Sequence, residues 1–138
     1  MNKTPASLHG GGLLTQCLVA QGVKRIFCIP GESFLAALDG MYDTDIDVVV
    51  ARHEGGAAMM AEATGKLTGK PGVAFVTRGP GATNASAGVH VAFQDSTPMI
   101  LFVGQVASNQ SDREAFQEFQ EHHHANLRAS RLQLHLGG

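Results

Sequence analysis

Short apolar blocks rich in valine, isoleucine and phenylalanine alternate along the chain with segments whose apolar residues recur at helical spacing. The blocks Arg25 to Ile29, Val48 to Val50, Gly72 to Val76 and Met99 to Val103 have the length and the near-continuous hydrophobicity of strands buried on both faces. Between them, Leu13, Leu14, Cys17, Leu18 and Val19 predict a helix that ends at Gly22, where glycine suits a left-handed cap. Pro30-Gly31 stops the first strand, and Ser33 is placed to cap a helix from Phe34 to Met41 whose Phe34, Leu35 and Leu38 share one face. From Glu54 the run Gly55, Gly56, Ala57, Ala58, Met59, Met60, Ala61, Ala63 predicts a helix with little bulk, able to lie close to a sheet. A loop from Arg78 to Gly81 precedes a helix ending near Gln94-Asp95. Strand-helix-strand units in succession predict a parallel sheet with right-handed crossovers.

Outside this core the pattern weakens. Residues 1–12 end in Gly10-Gly11-Gly12 and read as a flexible lead-in, 13–118 as the domain, and 119–138 as an atypical, disordered tail. The polar stretch Ser108 to Gln120 is predicted helical from about Asp112.

At 138 residues one domain is expected. The net charge of -2 supplies no basic field for nucleic acid or acidic lipid. No apolar run approaches the roughly 20 residues of a membrane helix, and the first residues lack the apolar core of a signal peptide, so a cytoplasmic location is expected. Cys17 and Cys28 match no paired metal or redox spacing and are expected to be reduced packing residues. The adjacent His122, His123 and His124 read as solvated tail, and no metal site is assigned.

Two stretches lie where the chain leaves a strand: Arg52-His53-Glu54-Gly55-Gly56-Ala57-Ala58 and Thr77-Arg78-Gly79-Pro80-Gly81-Ala82-Thr83-Asn84. In an open parallel sheet that edge is where ligands bind. Taken alone, Glu54 fits an ordinary helix-start carboxylate, and the second stretch fits a tight turn or a degenerate dinucleotide loop of a Rossmann-type domain.

Together with Ile29-Pro30-Gly31, Thr68-Gly69-Lys70-Pro71-Gly72-Val73, Ala92-Phe93-Gln94-Asp95-Ser96-Thr97-Pro98, Gly104-Gln105-Val106 and Glu114-Ala115-Phe116-Gln117-Glu118, in this order, they resemble the thiamine diphosphate enzymes of the acetolactate synthase and pyruvate oxidase group. The resemblance lies in the N-terminal pyrimidine-binding (PYR) domain. It implies an α/β fold, three-layer αβα with a mostly parallel sheet, its final strands missing here. In that family the carboxylate at the position of Glu54 hydrogen-bonds N1′ of the aminopyrimidine, so that the 4′-imino nitrogen can remove the C2 proton of the thiazolium. This requires a carboxyl group held out of water. The resemblance further implies that Pro30, Gly31, Thr77, Pro80 and Asn84 line the pyrimidine pocket, that Gly79 and Gly81 let backbone approach the ring, and that Gln105, Phe116 and Gln117 lie on the substrate side.

Two departures fall near that substrate side: Glu32-Ser33 replaces a small glycine-alanine pair, and Ala107 replaces a proline. No Gly-Asp-Gly motif is present to hold magnesium and diphosphate. The chain therefore reads as part of a 2-oxo acid carboligase or decarboxylase whose complete active site is not encoded here. It is expected to be inactive by itself and to need the diphosphate-binding domain of another chain, in a homo- or hetero-oligomer. The change of character near Phe119 suggests a truncated or frame-shifted product, and the alternative function is a non-catalytic interaction fragment or decayed product. The donor and acceptor substrates and any requirement for FAD are not specified by these residues.

Overall fold

The computed structural model describes residues 9–118. The elements run α1 (Gly10–Ala20), β1 (Arg25–Cys28), a 3₁₀ turn (Glu32–Phe34), α2 (Leu35–Met41), β2 (Asp47–Val50), α3 (Glu54–Thr68), β3 (Gly72–Val76), α4 (Gly79–Gln94), β4 (Met99–Val103) and a second 3₁₀ turn (Ser108–Gln110). All strand pairs are parallel, in the order β2-β1-β3-β4. Alternation along each strand sends Ile26, Cys28, Val73, Phe75 and Phe102 to one face, against Leu14, Leu18, Phe34, Ala37 and Met41. It sends Phe27, Ala74, Val76, Leu101 and Val103 to the other, against Ala57, Ala58, Ala61, Ala82, Ala85 and Val89. The result is the three-layer αβα arrangement, with α1 and α2 on one side and α3 and α4 on the other.

The two sides are packed differently. On the α1–α2 side large rings fill the space: Phe75 stacks on Phe102 with centroids 4.6 Å apart and meets Phe34 at 5.7 Å. On the α3–α4 side small residues allow backbones to touch. A Cβ on Gly88 of α4 would come within 2.5 Å of the Ala58 Cβ, and one on Gly72 within 1.9 Å of the Ala61 carbonyl oxygen. Lys66 fastens the far end of this pair, bridging the buried Glu62 at 3.0 Å and Asp95, and both partners raise its pKa.

The chain departs from the sequence reading in several places. Gly10–Gly12 are not lead-in but the first turn of α1, capped by His9, whose Nδ1 accepts from the Gly12 N–H. A Cβ on Gly11 would strike the Ala36 backbone at 2.2 Å, so packing against α2 selects the glycine that composition alone reads as flexible. Residues 1–8 and 119–138, where the rest of the lead-in and the tail were expected, lie outside the described residues. Ser33 caps nothing and is buried, its hydroxyl sharing a hydrogen bond with Thr77. Phe34 is buried but Leu35 points outward, because the 3₁₀ turn rotates the start of α2. Gly79-Pro80-Gly81 form the first turn of α4 and not a loop, proline being compatible with an initial helical turn. Among the described residues no α-helix follows Asp112, since Asp112, Glu114 and Gln117 all have positive φ. Gly22 does take the left-handed conformation expected of it, with φ 74°.

Cys28 is a core residue as expected, but Cys17 is exposed on the outer face of α1, whose inner face is Leu14, Thr15 and Leu18. Burial pushes the Cys28 thiol up from its ordinary pKa. The folded state thus holds that proton more tightly than the unfolded chain. Its contribution to stability is complete below the ordinary thiol pKa and is lost as pH climbs through the raised value. With iodoacetamide at mildly alkaline pH, Cys17 is expected to be alkylated and Cys28 to react only on unfolding; equal labelling of the two in the native protein would contradict this placement. Gly88→Val is expected to cost about 2 kcal/mol or more in urea denaturation by forcing α3 and α4 apart, whereas an unchanged midpoint would show that the helices do not touch there.

Candidate functional site at the carboxyl edge of the sheet

β1 lies at the centre of the chain's path: α2 carries the chain to β2 on one side of it, and α3 carries it back to β3 on the other. The strand order therefore reverses between β1 and β3. Beyond their carboxyl ends the connecting segments diverge to opposite faces and leave a crevice, the usual ligand position in an open α/β sheet.

The residues at this point are brought together as close pairs. From β1, Gly31 meets Thr77 from β3: a Cβ on Gly31 would stand 2.8 Å from the Thr77 Cβ. Its backbone is extended, at φ -143° and ψ 148°, so space and not conformation requires glycine. The Ser33 and Thr77 hydroxyls are 2.9 Å apart, and Gly104, after β4, admits Ser33, since a Cβ there would fall 2.0 Å from the serine Oγ. The ends of β1, β3 and β4 are thus interlocked.

The second pair joins the two small-residue helices. His53 caps α3, its Nδ1 accepting from the Gly55 N–H at 3.0 Å. Glu54 follows as the first helical residue, where the helix dipole favours a carboxylate. Because Gly55 allows the Asn84 backbone to approach, the first turns of α3 and α4 lie side by side. The Asn84 amide Nδ2 donates to Glu54 Oε2 at 3.0 Å. Oε1 has no donor among the described residues. One requirement read from the sequence is not met: Glu54 is half-buried and not held out of water. It stands at the end of β2, an edge strand of the sheet, and among the described residues nothing covers the crevice on that side.

The third pair lies at the start of α4. The Gly79 N–H donates to the Gln117 carbonyl at 2.8 Å, and Arg78 Nη1 reaches Glu32 at 2.9 Å and the Phe116 carbonyl at 3.4 Å. Pro30 and Pro80 are exposed on the rim, and Gln105 is buried behind it, its Oε1 accepting from the Val106 N–H. Phe116 is 74% exposed, and its contact to the domain is through its backbone carbonyl, which accepts from Arg78.

Gly104 and the Glu32–Arg78 pair were not assigned roles from the sequence, and Ser33 was read only as a helix cap. Their partners are distant along the chain, and the only signal was the unusual Glu32-Ser33 after Pro30-Gly31. A separate apolar cavity of about 310 Å³, lined by Val89, Phe93, Met99 and Leu101 among others, opens at the opposite end of β4 and is remote from these residues. Among the described residues no group of His, Cys, Asp and Glu is placed to hold a metal ion, and no helix is long and apolar enough to cross a membrane.

The family of thiamine pyrophosphate enzymes, N-terminal TPP binding domain, matches residues 8–125. Acetolactate synthase of Bacillus subtilis (strain 168) is 46% identical over 98 residues, 71% of this chain and 17% of its own length. Acetolactate synthase isozyme 3 large subunit of Escherichia coli (strain K12) is 42% identical over 112 residues, 80% of this chain and 20% of its own. The mitochondrial acetolactate synthase catalytic subunit of Saccharomyces cerevisiae (strain ATCC 204508 / S288c) is 39% identical over 119 residues, 86% and 17%. The chain spans a fifth or less of the length of these relatives. With its parallel four-stranded sheet and the match over residues 8–125, this chain belongs to the N-terminal TPP-binding domain family of the thiamine pyrophosphate enzymes.

Proposed function

We propose that the crevice at the ends of β1, β2 and β3 binds the aminopyrimidine ring of thiamine diphosphate, and that the chain serves an acetolactate synthase-like enzyme acting on 2-oxo acids. The observation that carries this reading is the Glu54 carboxylate at the start of α3, with Oε2 engaged by Asn84 and Oε1 left without a donor among the described residues. A carboxylate so placed can accept a proton from, or return it to, a flat ring nitrogen without losing its own orientation. Gly31, Thr77, Gly79, Pro80 and Pro30 supply the walls, Gly31 and Gly79 being positions where a side chain would crowd Thr77 or the Gln117 carbonyl. Asn84 holds Glu54. Gln105, Phe116 and Gln117 are assigned to the substrate side.

These residues suit an uncharged ring and offer no ligand set for a diphosphate with its Mg²⁺, which needs dedicated oxygen ligands. The diphosphate end is therefore assigned to the diphosphate-binding domain of another chain, in a homo- or hetero-oligomer, which would also complete the removal of water from Glu54. When bound, the cofactor supplies the carbanion chemistry; the protein's part is orientation and the proton held at Glu54.

Calorimetry with thiamine diphosphate and magnesium is expected to show heat when a separate diphosphate-domain protein is present and none with this chain alone; no heat in either case would favour a non-catalytic fragment. In the two-component mixture, Glu54→Gln is expected to lower turnover of a 2-oxo acid by at least about 10²-fold, the usual scale of acid–base assistance. Undiminished turnover would remove Glu54 from the mechanism.

A further inference from the structure

Residues 112–118 are fastened into a compact strap. The Glu118 carboxylate accepts from the N–H groups of Asp112 and Ala115, and Asp112, Glu114 and Gln117 hold positive φ to make the bends. Such backbone is uncommon for side chains of this size and persists only where surrounding contacts fix it. The strap meets the end of β3 through its backbone: the Phe116 carbonyl accepts from Arg78 and the Gln117 carbonyl from Gly79.

Arg78 is the residue that links the strap to the β1 side. Its side chain is only 16% exposed, and Nη1 lies between Glu32 on the β1 side and Phe116 in the strap. Its Nε is buried without a hydrogen-bond partner among the described residues. An arginine held at that cost, with a guanidinium that can serve two acceptors at once, is suited to fixing two segments in one geometry. Glu32 is largely exposed, so the ion pair itself adds little, and its use is to orient the guanidinium.

We propose that Arg78, oriented by Glu32, is a positioning residue: it seats the Asp112–Glu118 strap over the end of β3 and so joins the substrate-side Phe116–Gln117 pair to the cofactor-side Pro30–Gly31 turn. The proposal rests on the function proposed above for the assignment of those sides. The latch itself requires no cofactor. It would make Phe116 and Gln117 responsive to whatever disturbs Glu32.

The Gly79 amide reports the latch directly, because its partner is the Gln117 carbonyl. Native-state hydrogen exchange is measured on the full chain without cofactor, with the amides of Phe75 and Leu101 as controls for an intact sheet. Arg78→Met is expected to speed Gly79 exchange by about tenfold, Glu32→Gln by a smaller factor, and Arg78→Lys to keep part of the protection because a donor to Phe116 remains. Wild-type Gly79 protection in Arg78→Met, with Phe75 and Leu101 unchanged, would overturn the proposal. If Arg78→Met does not fold, Glu32→Gln decides: unaltered Gly79 exchange there removes the latch. Failure of thiamine diphosphate to bind even with a diphosphate-domain protein present would defeat the functional reading and leave this result standing.

Discussion

The structure depends on how closely backbone can approach backbone around α3. With alanine and glycine at Ala57, Ala58, Ala61 and Gly65, this helix lies against the sheet on one side and α4 on the other with almost no side chain between them. That approach sets the first turns of α3 and α4 side by side, and it is there that Asn84 meets Glu54. A bulkier layer would separate the two helices and the pair with them. The opposite face, filled by Phe34, Phe75 and Phe102, supplies most of the large apolar burial and leaves the α3–α4 side free for this geometry.

How much of this was legible in the sequence follows from what each signal reports. β3 and β4 match their expected limits because strands buried on both faces must be continuously apolar, and Gly72 and Thr97-Pro98 mark their starts. Glycine and proline mislead where they mean proximity: Gly10–Gly12 and Gly79–Gly81 read as loop but are helical first turns. The polar 112–118 stretch reads as helix, yet positive φ at Asp112, Glu114 and Gln117 is imposed by tertiary contacts that no local pattern records. Glu54 and Asn84 were singled out through motif order, and the structure brings the two side chains together. The locks between Ser33, Thr77 and Gly104, and between Glu32 and Arg78, were not, since each depends on residues meeting across the sheet.

Glu54 marks what the described residues leave uncovered. Its orientation is fixed by the helix start and by Asn84, but its burial is partial. Orientation is built from within the domain, whereas exclusion of water must come from whatever covers the open side of the crevice. This division accords with the proposal that the ring and diphosphate ends of the cofactor are served by different domains, and with relatives several times longer than the matched region.

The most direct test of the account is an NMR titration of the ¹⁵N-labelled chain with millimolar thiamine, which carries the aminopyrimidine without the diphosphate. The account predicts weak, saturable shifts confined to the ends of β1, β2 and β3, at Gly31, Gly55, Thr77 and the Asn84 side-chain amide. Shifts gathered instead at the start of β4 and the end of α4, or none at any concentration, would contradict the placement of the ring beside Glu54.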